Sequence, residues 1–363
     1  MLFYLTLFSI TSIGSFFELC NVNKNKKMFI AIFLMIIYII ISGLRWNNTD
    51  WIVYYPFFMN NYSLDDFWYG NIPIDKGFGL INFIVKFFTD EYSILLFILA
   101  IIIIGLKINF ILKFSMFPLL SILFWFGTYM GDIFFVRQAL AVSITLVAFR
   151  YIVKRQFLYF IFWTLIASTI QISVIPFILA YFIFHLKIKI RYLILGIISS
   201  IIVGRLLDIS FLLNINGILN IMPDADRLNE KLDLYMNIGT DDGGFLLLGY
   251  IRRLLFLPIE LWAITKLEKI DNKYRGCINL IIVGYMLYFL LGNVSPTIAT
   301  RISTAFYFYE VITIPAIFLL VKKINIKLVL FFILVIYSLM KYIYAINLYR
   351  DIYIPYINIL FYN

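Results

Sequence analysis

Apolar runs of membrane-crossing length recur from one end of this chain to the other, separated by short connections that carry lysine and arginine. About 20 mainly apolar residues, with ~17 as a practical minimum, cross a bilayer core as a helix. Each backbone N–H and C=O in lipid must be satisfied inside the structure, so such runs fold as helices and not as open sheet. The candidate segments are 2–17, 28–44, 91–106, 117–131, 138–153, 156–169, 172–186, 192–208, 245–265, 277–292, 303–321 and 328–345. They predict an all-α, polytopic transmembrane helical bundle of about 12 spans, with 1–363 as a single integral membrane domain. The short segment 77–89 reads as an interfacial helix. The 63% apolar content lies well above the ~45–50% of soluble domains. The run Leu2–Phe17 lacks a basic leader and a small-residue cleavage site, so it is expected to be a retained first helix.

Lysine and arginine set the orientation. One alternating set of connections holds Lys24, Lys26 and Lys27; Lys107 and Lys113; Arg150, Lys154 and Arg155; Lys187, Lys189 and Arg191; Lys266, Lys269, Lys273 and Arg275; and Lys322, Lys323 and Lys327. This set is expected on the cytoplasmic side, with both termini outside. The net charge of +10 then reflects topology, and no basic stripe suits a nucleic acid. The opposite face has the two long loops, 45–90 and 209–244, and most of the acids. Sites are commonly built on such loops. The two cysteines, Cys20 and Cys277, and the lone His185 follow no metal spacing, so no metal or cofactor is expected.

Six arginines lie at or just inside the ends of apolar segments on the outer side: Arg45, Arg137, Arg205, Arg252, Arg253 and Arg301. A charge near the hydrocarbon costs roughly 2.5–3.5 kcal/mol at a helix centre and usually marks a function. Guanidinium forks suit phosphate oxygens. Four stretches are candidates. The first runs from Arg45 and Trp46 through Asp50 and Trp51 to Tyr54 and Tyr55. It offers charge, a carboxylate and rings for sugar stacking, or else an interfacial aromatic belt with a snorkelling arginine. The second begins at Asp132 and opens a helix with Arg137 and Gln138, where the helix dipole would add to the arginine in drawing an anion. An Arg137–Asp132 structural pair is the alternative. The third leads from Asn293 and Ser295 to Arg301, Tyr307 and Glu310, an acid expected to find its partner elsewhere. The fourth is Arg252–Arg253, whose side chains leave the helix about 100° apart, so one would bind ligand and the other snorkel. No phosphate loop, dinucleotide fingerprint, nucleophile elbow or Asp-x-Asp pair is present. A donor with a lipid-linked pyrophosphate leaving group fits better than a nucleotide sugar.

At these residues the sequence resembles the EpsG-like polysaccharide polymerases, relatives of the Wzy O-antigen and capsule polymerases. The family's early Arg-x-Gly-x-Asp-Tyr/Trp-x-x-Tyr stretch is similar to the run Arg45 to Tyr54, with Asn48 and an extra residue departing from it. Asp75-Lys76-Gly77-Phe78 resembles its acid before a Gly-Phe pair, Arg137-Gln138-Ala139 its Arg-Gln helix start and Arg301-Ile302 its late arginine. Where the family often has a His before a Ser, this chain reads Gln171-Ile172-Ser173. Gln171 is no general base near neutral pH, so it orients a hydroxyl or the base is Asp50 or Asp75.

The resemblance implies a bundle similar to the GT-C glycosyltransferases. The implied reaction joins polyprenyl-pyrophosphate-linked oligosaccharide repeats at the outer face of a bacterial cytoplasmic (inner) membrane, without metal or nucleotide. Arg45, Arg137, Arg252 and Arg301 would hold the pyrophosphate, and Trp46, Trp51, Tyr54 and Gln138 the sugar or acceptor. A chain-length regulator is an implied partner. The alternatives are a flippase for the same lipid, which would need polar residues reaching the cytoplasmic side, and another outer-face transferase.

Overall fold

A computed structural model of the chain describes residues 1–20, 22–46, 51–60, 66, 74–207 and 243–361. The helices are α1 (Leu2–Phe16), α2 (Lys24–Gly43), α3 (Trp51–Met59), α4 (Lys76–Phe88), α5 (Tyr92–Phe114), α6 (Pro118–Thr128), α7 (Gly131–Phe134), α8 (Arg137–Val153) and α9 (Phe157–Ile170). There follow α10 (Ala180–His185), α11 (Ile190–Leu206), α12 (Gly243–Leu267), α13 (Asn272–Leu291), α14 (Pro296–Tyr307), α15 (Glu310–Ala316), α16 (Ile324–Leu348) and α17 (Arg350–Tyr353). Among the described residues there is no strand, apart from an isolated backbone bridge between Arg45 and Asn358. Two compact units result: Met1–Ile172 with Ile314–Asn363, and Ser173–Thr313.

Four helices are long and apolar enough to cross a membrane alone: α2, α5, α13 and α16. Taken as one broken span, α14 and the following Glu310–Leu320, bent by 53°, make a fifth. The apolar helices α1, α6, α9 and Ile172–His185 are shorter. Burial separates two kinds of span. The apolar windows of α5 and α13 are 56% and 67% buried, whereas those of α2 and α16 are 28% buried and turn most of their surface outward.

In the first unit, α1 packs through Tyr4, Leu7, Thr11 and Ser15, and α2 through Ala31, Leu34, Tyr38 and Ser42. Residues three or four apart share one helix face, so each stripe is a single packing surface. Polar atoms on these stripes are bonded: Thr11 Oγ1 lies 2.7 Å from Tyr38 Oη, and Ser15 Oγ donates to Leu119 O at 2.8 Å. On the other side of α2, Phe29, Phe33, Ile36 and Ile40 are exposed, as a lipid-facing surface requires.

In the second unit, α13 packs against α10, α11, α12 and α14. A β-carbon on Gly204 would lie 2.1 Å from Phe289 O, so this glycine permits α11 to approach the α13 backbone.

Several sequence expectations change here. The segment expected to end at 106 continues to Phe114, because Lys107 is buried inside α5 with a partner and does not begin a loop. The 172–186 segment is a 3₁₀ stretch over Ile172–Leu179 followed by α10. Pro176 lies within that stretch, and proline lacks the N–H that a regular α-helix would use. The 303–321 segment starts earlier, at Pro296, where Ser295 Oγ accepts from Ile298 N. A serine cap followed by proline at the first helical position is a strong start signal. The 45–90 loop contains α3 as well as α4.

Candidate functional site

Asp75 precedes the first residue of α4, but its carboxylate does not cap that helix. It reaches instead to Arg137, the first residue of α8, with Oδ2 3.1 Å from Nη1. The starts of the two helices are thus joined by an ion pair, and each side chain keeps 14% of its surface exposed. The expected alternative partner, Asp132, is engaged elsewhere.

Aromatic rings gather beside this pair. Arg137 lies over Tyr54, with its guanidinium carbon 5.7 Å from the ring centre, and Tyr54 packs on Phe78 at 5.2 Å. At the first residue of α3, Trp51 stacks on Tyr55 at 5.2 Å and meets the edges of Trp46 and Tyr92 at 4.7 and 4.9 Å. Gln138 follows Arg137 on α8 and is half-buried. Gln171 closes α9 and is 5% exposed. A β-carbon on Gly77 would lie 2.3 Å from Thr169 Oγ1, closer than van der Waals contact allows, so this glycine permits the end of α9 to meet the start of α4. Asp50 lies outside the described residues, as does nearly all of the 209–244 loop.

Arg45 is 3% exposed, and its guanidinium faces into the protein. It donates to Ser42 O, to Ser42 Oγ at 2.8 Å and to Phe134 O at 3.0 Å. Phe134 lies three residues before Arg137, so Arg45 secures the turn that delivers α8. Trp46 N donates to Ile357 O at 2.9 Å, fastening the C-terminal strip alongside. In that strip Tyr356 Oη donates to Ile41 O at 2.8 Å. Burial pushes its phenol up to about 12, against the opposing pull of Arg45.

Sequence reasoning missed a second charged pair in this unit. Lys107 has no exposed surface, and its Nζ lies 2.5 Å from Asp132 Oδ1, while Trp125 Nε1 donates to Asp132 Oδ2 at 2.7 Å. The available signal was the apolar run that resumes after the lysine as Ile108, Phe110, Ile111 and Leu112.

The second unit has its own charged cluster. Glu310, at the start of α15, takes Arg252 Nη2 at 2.6 Å and the Tyr285 hydroxyl at 2.7 Å. Arg252 also lies over Tyr307 at 5.3 Å. Arg253 packs between rings, 3.2 Å from the centre of Tyr288 and 4.9 Å from that of Tyr307, and donates to Gly249 O at 3.0 Å. Adjacent arginines leaving the helix in different directions thus acquire different surroundings. Glu260, 1% exposed, accepts from Thr313 Oγ1 at 3.0 Å. Arg301 is half-exposed on α14, and Arg205 is exposed on α11. Among the described residues, no three His, Cys, Asp or Glu side chains come together to hold a metal ion.

Long apolar helices with buried, paired charges define a multi-pass helical membrane protein. The sequence pattern of the EpsG family matches residues 28–358, and the chain belongs to that family. Comparison with curated proteins and with solved structures found no significant match.

Proposed function

We propose that this chain is a polysaccharide polymerase acting at the outer face of a bacterial cytoplasmic membrane. It transfers a polyprenyl-pyrophosphate-linked glycan onto a hydroxyl of an incoming lipid-linked repeat, and polyprenyl pyrophosphate leaves. A glycosyl pyrophosphate is already activated, so the reading invokes neither metal nor nucleotide. Within it, the helical segments form about twelve spans in a GT-C-like arrangement, the shorter helices being completed by their flanking residues.

Family membership supports the reaction class. The observation that carries the site is the Asp75–Arg137 pair at the joined starts of α4 and α8, with Tyr54 beside it. In this reading Arg137 holds the pyrophosphate and stabilises charge that develops on the leaving oxygen. Tyr54, Trp51, Trp46 and Gln138 receive sugar, and Gln171 orients a hydroxyl. Arg45 supports Arg137 through the preceding turn. In the second unit the same reading assigns Arg252 and Arg301 to anionic substrate.

A cell-free assay with purified protein and lipid-linked repeats tests the reaction. A ladder of lengthening glycans is expected; lipid scrambling without elongation would replace the reading with transport. Arg137→Ala should abolish elongation while leaving membrane insertion and yield unchanged, and a normal ladder from that variant would remove the pyrophosphate assignment.

A further inference from the structure

Arg252 and Arg253 adjoin in sequence, yet only one of them has its charge met. Arg252 pairs with the Glu310 carboxylate at 2.6 Å. Arg253 is 4% exposed and has no carboxylate within ion-pair distance among the described residues. Its partners are the Gly249 carbonyl and the rings of Tyr288 and Tyr307. These rings attract a cation but carry no charge to neutralise it. Arg253 Nε is buried and donates to no acceptor there, so the guanidinium keeps donor capacity in hand. Arg253 also lies about eight residues inside the 245–265 segment, roughly 12 Å along the helix. An unpaired charge at such depth is among the costliest arrangements a fold can hold. The packing around it is nonetheless close: a β-carbon on Gly249 would lie 1.9 Å from Tyr288 Oη, so glycine there admits the ring that lies against Arg253. A second guanidinium, Arg205 on α11, acts together with Arg253 on the Tyr250 hydroxyl.

We propose that Arg253 is the centre of an anion site in the second unit that takes a phosphate-group oxyanion, with Arg205 supplying a second positive charge. Sequence spacing left open which of the adjacent arginines binds ligand. Pairing decides it: Arg252 keeps Glu310, and Arg253 has charge to spare. The Nε and Nη donors of a guanidinium form a planar fork that matches two oxygens of one phosphate group. Two guanidinium charges suit an anion carrying more than one negative charge. Tyr288 and Tyr307 hold the Arg253 guanidinium in place before ligand arrives, which lowers the ordering cost of binding. Such an oxyanion comes either from the pyrophosphate of a lipid-linked glycan or from the headgroup of an anionic phospholipid. With either source, occupation cancels the buried charge, so ligand binding and fold stability rise together.

Full-length protein in phosphatidylcholine nanodiscs is titrated with inorganic pyrophosphate, with binding read by calorimetry and stability by the thermal unfolding midpoint. Wild type should bind and gain in midpoint. Arg253→Met should bind about ten- to a hundredfold more weakly, the scale of lost hydrogen bonds to a charged group. Its ligand-free midpoint should nevertheless equal or exceed that of wild type, because an uncompensated buried charge has been removed. Arg253→Lys keeps the charge without the fork and should bind between the two; it carries the comparison if Arg253→Met is not recovered folded. A second arm repeats the titration in nanodiscs containing phosphatidylglycerol. Loss of Arg253-dependent pyrophosphate binding there identifies the headgroup phosphate as the occupant, and retention identifies the pyrophosphate source.

The site stands apart from the polymerase reading, and Arg137→Ala in the same titration separates the two. Affinity lost in Arg137→Ala and unchanged in Arg253→Met overturns the Arg253 site and leaves that reading in place. Affinity lost in Arg253→Met and unchanged in Arg137→Ala keeps the site and removes Arg137 as the pyrophosphate ligand. A lowered ligand-free midpoint in Arg253→Met marks a purely structural arginine and overturns the site. Wild-type protein that binds no pyrophosphate in phosphatidylcholine nanodiscs overturns it as well.

Discussion

Replacing Gly77 by alanine would place a methyl carbon 2.3 Å from Thr169 Oγ1, 2.8 Å from the Thr169 carbonyl carbon and 2.9 Å from its Cβ. The hydroxyl can rotate away, but the carbonyl carbon belongs to α9 and moves only with the helix. Carbon atoms pack comfortably at about 3.5 Å, so the start of α4 must back away by roughly 0.7 Å. Asp75 lies two residues upstream and is carried with it, lengthening its approach to Arg137. A misplacement of about 1 Å in a reacting group can lower a rate about a hundredfold. The expected result for Gly77→Ala is therefore a ten- to hundredfold loss of elongation, with a stability cost of about 1–3 kcal/mol from overpacking. Initial elongation rates in membranes, normalised to the amount of folded protein, measure the first quantity; thermal unfolding in detergent measures the second. Adding Thr169→Gly removes the Oγ1 and Cβ overlaps while leaving the carbonyl overlap, so it should restore part of the rate. Wild-type elongation by Gly77→Ala at equal protein would refute the argument that the α4–α9 contact sets the position of Asp75.

Glu310→Gln leaves Arg252 without its carboxylate in a buried setting and should cost about 3–5 kcal/mol, read as a lowered unfolding midpoint. The double variant Arg252→Met with Glu310→Met, which removes both charges, should recover most of that stability; equal instability would show that the pair is not the source. Lys107→Met alone leaves Asp132 with its Trp125 bond but no cation, and should reduce the yield of folded protein. Combining it with Asp132→Asn should restore yield, and no difference between single and double variants would contradict the pairing.

The apolar runs made the helical architecture legible, because span-length hydrophobicity is a local property. What local pattern did not convey was which charge meets which. Asp75 and Arg137 belong to separate motifs, and their contact arises only when α4 folds back on α9 and α8. Asp132 precedes Arg137 by five residues, yet its cation is Lys107 on α5. For Glu310 the sequence pointed to a partner elsewhere without naming Arg252 or Tyr285. The missed start of α14 was legible in principle: Ser295-Pro296 is a capping pair, but its polar surroundings made it read as loop. Likewise α3 hides in an aromatic run whose residues suit an interfacial belt and a helix equally well.

Lys107 also bears on how the protein is made. As α5 leaves the ribosome it carries a cation well inside its apolar length, and the carboxylate that neutralises it has yet to be synthesised. The translocation channel must therefore either accept a charged helix on the strength of its isoleucines and leucines, or hold it until Asp132 emerges. The latter route would deliver α5, α6 and α7 into the bilayer as one hairpin-like package, so the order of biogenesis is already written into a single ion pair.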